Sequence, residues 1–246
     1  YDISNDELYK QIVEKKKVIS TSIPSPKDFH EVFEKVANEA ETIIGIFLSP
    51  KFSGLYQAAQ MVVNNYFPDK DIILIDSKSC SLAQALLVIE AAKMAQAGKP
   101  KSEIVDRLNY LAQYARAFAM VDTLEYLHRG GRIKFYKKII GDLLRAKPII
   151  RLDIDGANLD GHIKGRENGM IHMKVFGLRL QEGLKNQRMF VAYTTNKALA
   201  EEIAQFIIDN SDKKVEVLIG QLGPVVGAHG GPDVVGFGSV SYTHLR

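Results

Sequence analysis

The strongest constraint on the fold is an alternation of apolar runs, hydroxyl-rich turns and helical spacing in the first part of the chain. Ile43-Ile44-Gly45-Ile46-Phe47-Leu48, entered from Thr42, has no alternating polar positions, the pattern of a strand covered on both faces. The turn Ser49-Pro50-Lys51-Phe52-Ser53-Gly54 follows, and then apolar residues at helical spacing, Tyr56, Ala59 and Val63. The pattern repeats at Asp71–Asp76, with the turn Ser77-Lys78-Ser79-Cys80-Ser81 and a helix from Leu82 to Gln96 that Gly98 closes. An earlier version starts with an expected short strand, Lys17–Ser20, and turns at Thr21-Ser22-Ile23-Pro24. Ser25, Pro26 and Asp28 then form a capping-box start for a helix with Phe29, Val32, Phe33, Val36 and Ala37 on one face.

Strand-turn-helix units in series imply a parallel sheet with helices on its faces. Ligands of such sheets bind beyond the carboxyl ends of the strands, where these turns lie. Each turn opens a helix, whose free N–H groups and positive dipole end attract anions. Serine and threonine at these places also have a plain role as helix caps. That role accounts for Ser25. It accounts less well for Thr21 and Ser53, because capping alone does not require both hydroxyls on one edge of the sheet.

The second half reads differently. A helix over Ser102–Tyr114 leads to a strand at Ala117–Asp122, and the glycine pair in Leu127-His128-Arg129-Gly130-Gly131-Arg132 makes a sharp end from which Arg132 emerges. A helical stretch reaching Arg145 precedes a strand at Lys147–Asp153 and a hairpin signal at Asp155-Gly156. A helix at Met173–Leu184, a strand at Met189–Tyr193, a helix at Leu199–Ile208 and a strand at Val215–Ile219 follow. The expected architecture is therefore α/β throughout: a parallel-sheet domain over residues 1–100, then a smaller α/β domain with a mixed or antiparallel sheet over 101–238. His229 stands in the Gly-rich segment Gly223-Pro224-Val225-Val226-Gly227-Ala228-His229-Gly230-Gly231. Turn chemistry explains such a loop, yet its glycines would also let the backbone approach a ligand and aim the imidazole at it.

Composition narrows the function classes. The net charge of +3 is small, and no basic stripe with interleaved aromatics is present, so nucleic acid is not an expected partner. No apolar run approaches the roughly 18 residues of a membrane span, so no integral membrane contact is expected. The single cysteine, Cys80, permits no intrachain disulfide; it reads as a small buried hydrophobe and fits a cytoplasmic location. Glycine fingerprints for dinucleotides or P-loop phosphates are missing, as is a GxSxG elbow. The histidines have no ligand-spaced partners, so neither metal nor cofactor is expected. Both ends read as abrupt: Tyr1 leads straight into a helical segment, and residues 239–246 read as a non-native tail.

Taken in order, Thr21-Ser22-Ile23-Pro24-Ser25, Phe52-Ser53-Gly54-Leu55-Tyr56-Gln57, Asp76-Ser77, Tyr126-Leu127-His128-Arg129-Gly130-Gly131-Arg132-Ile133 and Gly223–His229 resemble the DegV family, the fatty-acid-binding proteins of bacterial fatty acid kinases. The resemblance extends to about Gly238. It implies a fatty acid held between the two domains, its carboxylate at the mouth of an apolar tunnel. By position, Thr21, Ser53 and Gly54 match the carboxylate site, and His229 matches a histidine near the same head group. Arg132 matches an arginine facing the kinase catalytic subunit, which makes an acyl phosphate for phospholipid synthesis. The chain departs from the family pattern at Pro50, Leu55, Ala83, Ala85 and Asp233, and by lacking an opening strand that ends in Asp-Ser.

The leading reading is a non-catalytic carrier of a long-chain fatty acid that serves a kinase partner. One alternative is a hydrolase with Ser53 as nucleophile, His229 as base and Asp76 as the one acid to nominate for orienting it. Another is a regulatory module that binds a different anionic metabolite at the same site.

Overall fold

A computed structural model describes residues 3–15, 19–133 and 146–241. In chain order the helices and strands are α1 (Asn5–Lys15), α2 (Pro26–Glu39), β1 (Thr42–Phe47), α3 (Leu55–Tyr66), β2 (Asp71–Asp76), α4 (Ser81–Gln96), α5 (Lys101–Ala112), β3 (Ala115–Met120), α6 (Glu125–Arg129), β4 (Ala146–Asp153), β5 (Gly156–Lys164), α7 (Arg166–Leu180), β6 (Leu184–Tyr193), α8 (Lys197–Asn210), β7 (Glu216–Gln221), α9 (Pro224–Gly230) and β8 (Val235–Ser241).

The apolar run at residues 43–48 becomes β1 and pairs in parallel with β2, from Thr42 opposite Asp71 to Phe47 opposite Asp76. Alternate side chains serve opposite layers. Phe47, Ile72 and Leu74 pack with Phe29 and Phe33 of α2 and Ala59, Val62 and Val63 of α3. Ile44, Ile46, Ile73 and Ile75 pack with Leu86 and Leu87 of α4 and Ile104, Leu108 and Leu111 of α5. The capping box holds, with the Ser25 side chain accepting from the Asp28 amide and the Asp28 carboxylate accepting from the Ser25 amide.

The second sheet has six strands in the order β5-β4-β3-β8-β6-β7. Only β6 and β7 run parallel; the other neighbours are antiparallel. One face carries Phe118, Met120, Val191 and Phe237 against α7 and α8. The opposite face carries Val121, Ile150, Ala192 and Val234 against Leu124 and Leu127 near α6, and against Leu82 at the start of α4. The expected α/β architecture stands, and of the two sheets the mixed one is the larger. α5 packs with α4 and β2, and the second sheet begins in the chain with β3.

Several local expectations are corrected. Ile19 and Ser20 form no strand; Lys17 and Val18, and the helical stretch expected up to Arg145, lie outside the described residues. The supposed Gly-rich loop at Pro224–Gly230 is a short helix. Most consequential is β8, which the sequence reading missed: Ser239, Val240 and Ser241, assigned to a foreign tail, lie buried in this strand, between β3 and β6. Glycine disfavours strands, and Gly236 and Gly238 hid this one. Their smallness is required. A Cβ on Gly236 would stand 2.3 Å from the Phe118 carbonyl oxygen, and one on Gly238 2.6 Å from the Ala83 amide nitrogen. The first turn of α4 therefore rests directly on β8, joining the two layers. Farther along, Arg188 of β6 reaches Glu90 of α4 at 3.2 Å.

Candidate functional site

A partly open cavity of about 200 Å³ lies between the two sheets. Its walls are overwhelmingly apolar. Ala117, Ala119, Ile150, Leu152, Ala192 and Gly236 come from the six-stranded sheet; Leu48, Phe52, Leu55 and Cys80 come from the parallel layer; Leu222, Val225 and Val226 come from the approach to and body of α9. The registers Ala119–Gly236 and Gly236–Ala192 set a row of small residues across three adjacent strands. With only methyl groups at Ala119 and Ala192, the sheet leaves an open floor where larger side chains would fill it. Burial pushes the Cys80 thiol up to about 12, so it stays protonated and serves as one more apolar contact.

Polar side chains reach the cavity at few places: Thr21, Ser22, Ser53, Ser81, Arg132 and His229. Thr21, Ser53, Arg132 and His229, singled out from the sequence, thus line one space although they lie up to 208 positions apart, the separation of Thr21 and His229. Gly54 lies outside the lining, directly behind Ser53, as the N-cap of α3; no side chain caps that helix start. Asp76 is also outside the cavity, its carboxylate accepting from the Lys78 amide at 2.8 Å and pairing with the Lys78 ammonium at 3.2 Å. Ser49 and Ser77 are buried and hold the turns themselves: Ser77 Oγ donates to the Ser79 carbonyl at 3.0 Å. Ser22 and Ser81 escaped the sequence reading; Ser81 has φ 54°, which sequence periodicity does not reveal.

His229 Nε2 lies 3.0 Å from Thr21 Oγ1. Its Nδ1 is buried and has no hydrogen-bond partner among the described residues. Gly130 makes this possible, since a Cβ there would stand 2.1 Å from Nδ1. Burial, together with the nearby Arg132 guanidinium, holds the imidazole below its ordinary value, favouring the neutral ring. A proton on Nδ1 would be a buried donor without an acceptor, so the consistent tautomer carries its proton on Nε2. In that tautomer the Nε2–H donates to Thr21 Oγ1 and leaves the threonine hydroxyl proton free to point at a ligand. Arg132 is braced between backbone groups, Nε donating to the Phe52 carbonyl at 3.2 Å and another guanidinium N–H to the Gly130 carbonyl. The polar end therefore presents donors and positive charge, as an anion requires.

Among the described residues, Ser53, His229 and Asp76 are not assembled as a triad. The imidazole faces Thr21, no carboxylate among the described residues orients Nδ1, and Asp76 is engaged elsewhere. No three His, Cys, Asp or Glu side chains among the described residues come together as a metal-binding group. No described helix is long and apolar enough to cross a membrane.

The family model described as "Uncharacterised protein, DegV family" matches residues 1–241. The chain belongs to the DegV family. A DegV domain-containing protein of Caldanaerobacter subterraneus subsp. tengcongensis is 32% identical over 241 residues, covering 96% of this chain and 83% of the relative. One from Clostridium perfringens is 33% identical over 242 residues, with the same coverage, 96% and 83%. Among solved structures, a stearic acid-binding protein from Eubacterium ventriosum superimposes with a TM-score of 0.85 at 28% identity, covering 98% of this chain and 84% of that one. A fatty-acid-binding DegV family protein from Thermus thermophilus also gives a TM-score of 0.85, at 26% identity, with 97% and 85% covered. The match over residues 1–241 includes Ser239–Ser241, in keeping with their place in β8.

Proposed function

We propose that this DegV protein is a non-catalytic carrier that binds a long-chain fatty acid, its carboxylate at Thr21, Ser53 and Gly54 beside His229 and its chain along the apolar cavity. The observation that carries this reading is the polarity of one cavity: an apolar body with donors gathered where Thr21 meets His229. The similar proteins that bind fatty acids support the choice of ligand. Burying about 14 methylenes at about 0.8 kcal/mol each supplies a gross term of about 11 kcal/mol. Loss of chain and translational freedom removes much of it. The carboxylate adds little net affinity, but its donors are needed, because an unpaired buried charge costs several kcal/mol.

No cofactor takes part in this reading. The bound acid is handed to the catalytic subunit of a fatty acid kinase, which phosphorylates the carboxylate, with Arg132 at the face presented to that partner. The decisive experiment is solvent extraction and mass spectrometry of purified protein, followed by titration with a fluorescent fatty acid. Stoichiometric lipid or micromolar-or-better binding is expected; no extracted lipid and no binding would overturn the reading. The kinase step is tested separately, by acyl-phosphate formation with a fatty acid kinase catalytic subunit: wild type supports it, and Arg132→Ala lowers its rate more than it lowers acid affinity.

A further inference from the structure

The imidazole of His229 has an unusual anchorage. With no hydrogen bond on Nδ1 among the described residues, no carboxylate or carbonyl fixes the ring; in most oriented histidines that second nitrogen sets tautomer and direction. Its place is instead fixed by the backbone that carries it, α9, and by the bare Gly130 backbone on which it lies. Whatever holds α9 therefore holds the ring.

Tyr9, on α1, grips α9 at two points. It is 2% exposed, and its hydroxyl donates to the Leu222 carbonyl at 2.9 Å, two residues before α9 begins. Its ring lies against Gly227, where an added Cβ would stand 2.2 Å from the phenol oxygen and 2.7 Å from ring carbons. Burial pushes the phenol up from its ordinary value, so it remains a neutral donor. The same cluster of Leu8, Tyr9 and Ile12 packs with Ile19, just upstream of Thr21, and with Tyr126 of α6. Tyr126 in turn occupies the space a side chain at Gly231 would need. One small apolar cluster thus touches the segments that carry both members of the Thr21–His229 pair.

We infer that Tyr9 is a positioning residue for carboxylate recognition: by pinning α9 through Leu222 and Gly227 it sets His229 against Thr21 and so aims the threonine hydroxyl proton at the ligand. This rests on the proposed fatty-acid site and assigns its head-group selectivity to a residue that lies outside the cavity lining. The corollary is selective. Loss of the Tyr9 hydroxyl should weaken recognition of an acid head group and leave the apolar chain's contribution in place.

The test compares hexadecanoic acid with hexadecanol in wild type and Tyr9→Phe, by displacement of a fluorescent probe. The variant should raise the Kd for the acid about five- to tenfold, the effect of losing the one hydrogen bond that a misaimed Thr21 hydroxyl no longer gives the carboxylate, and change that for the alcohol less than about twofold. In a His229→Gln background the same change should no longer alter acid affinity, because the two residues act in one chain. An unchanged acid-to-alcohol preference, or an undiminished effect in the His229→Gln background, overturns the inference. The imidazole resonances of His229 by NMR need no ligand: they should shift in Tyr9→Phe and in Gly227→Ala, which pushes on Tyr9 from the α9 side. Unmoved resonances in whichever of the two variants folds overturn the inference as well. Wild type that binds neither compound instead defeats the proposed function, and the resonances still decide the role of Tyr9.

Discussion

The two sheets contribute different things to one cavity. The parallel layer of β1 and β2 delivers polar and apolar groups where its turns enter helices, with Ser53 before α3, Cys80 before α4 and Ser81 as the first residue of α4. The six-stranded sheet delivers a floor made by omission: Ala119 and Ala192, on either side of Gly236, leave space where larger residues would fill it. Ala119 remains only partly buried within a strand of that sheet, because its methyl faces the open cavity. The head-group end is thus a matter of placing a few donors, and the chain end is a matter of withholding volume. Errors in the two should have different signatures.

The largest effect should come from filling the floor. Ala119→Phe, which closes the path to about four methylenes, should weaken long-chain acid binding by about 3 kcal/mol, roughly a hundredfold. Acids shorter by that length should be less affected, as read by probe displacement across a chain-length series. If long chains still bind equally well, the sheet is not the floor and the comparison breaks.

Next is the seam where the two layers meet. Gly238→Ala places a Cβ 2.6 Å from the Ala83 amide nitrogen, and overpacking against rigid backbone should cost about 2 kcal/mol in urea unfolding. The same substitution at Gly161, which has nothing within 4 Å of its would-be Cβ, should cost under about 0.5 kcal/mol. Similar losses at both positions would show that close approach of α4 does not govern β8.

A smaller effect is expected at the head group. Thr21→Val keeps the side chain's shape and removes the hydroxyl, which should raise the Kd for an acid about tenfold, near 1.4 kcal/mol. Binding of the corresponding alcohol should barely change. Equal losses for both ligands would make Thr21 a packing residue and move the carboxylate elsewhere.

The smallest concerns pH. The folded-state pKa of His229 is depressed by burial and by Arg132, so the folded protein binds fewer protons there than the unfolded chain. Its contribution to stability is complete above the ordinary histidine value and is lost as pH falls through the depressed one. Thermal unfolding followed from about pH 7.5 to about pH 4.5 should show a steeper acid loss for wild type than for His229→Gln. His172 is depressed as well and remains in both proteins, so the difference between the two curves isolates His229. Parallel curves would mean that the ring is not held neutral by its surroundings.

Much of the fold could be read from the chain where local chemistry and final packing agree. The run Ile43–Leu48 is apolar at consecutive positions because both faces of β1 are covered, and the Ser25–Asp28 cap needs only residues three apart. Thr21, Ser53, Arg132 and His229 could be named, but by family likeness more than by pattern. What failed to show was β8, whose glycines answer to the Phe118 carbonyl and the α4 backbone across the fold. The cavity floor likewise gave no local sign, since an alanine facing a void and an alanine facing a neighbour look alike.

The sequence by itself determined that this chain builds a parallel sheet with hydroxyl-bearing turns, because strand burial, helix caps and turn residues act over a few neighbouring positions. Only the tertiary structure decided that Thr21 meets His229, that Nδ1 is left without a partner, and that Tyr9 stands behind α9. These depend on contacts between residues about two hundred positions apart, such as the 213 that separate Tyr9 from Leu222. Local propensity carries no record of such distances; they are settled when the glycine-rich β8 enters the middle of the six-stranded sheet and α4 comes down on it.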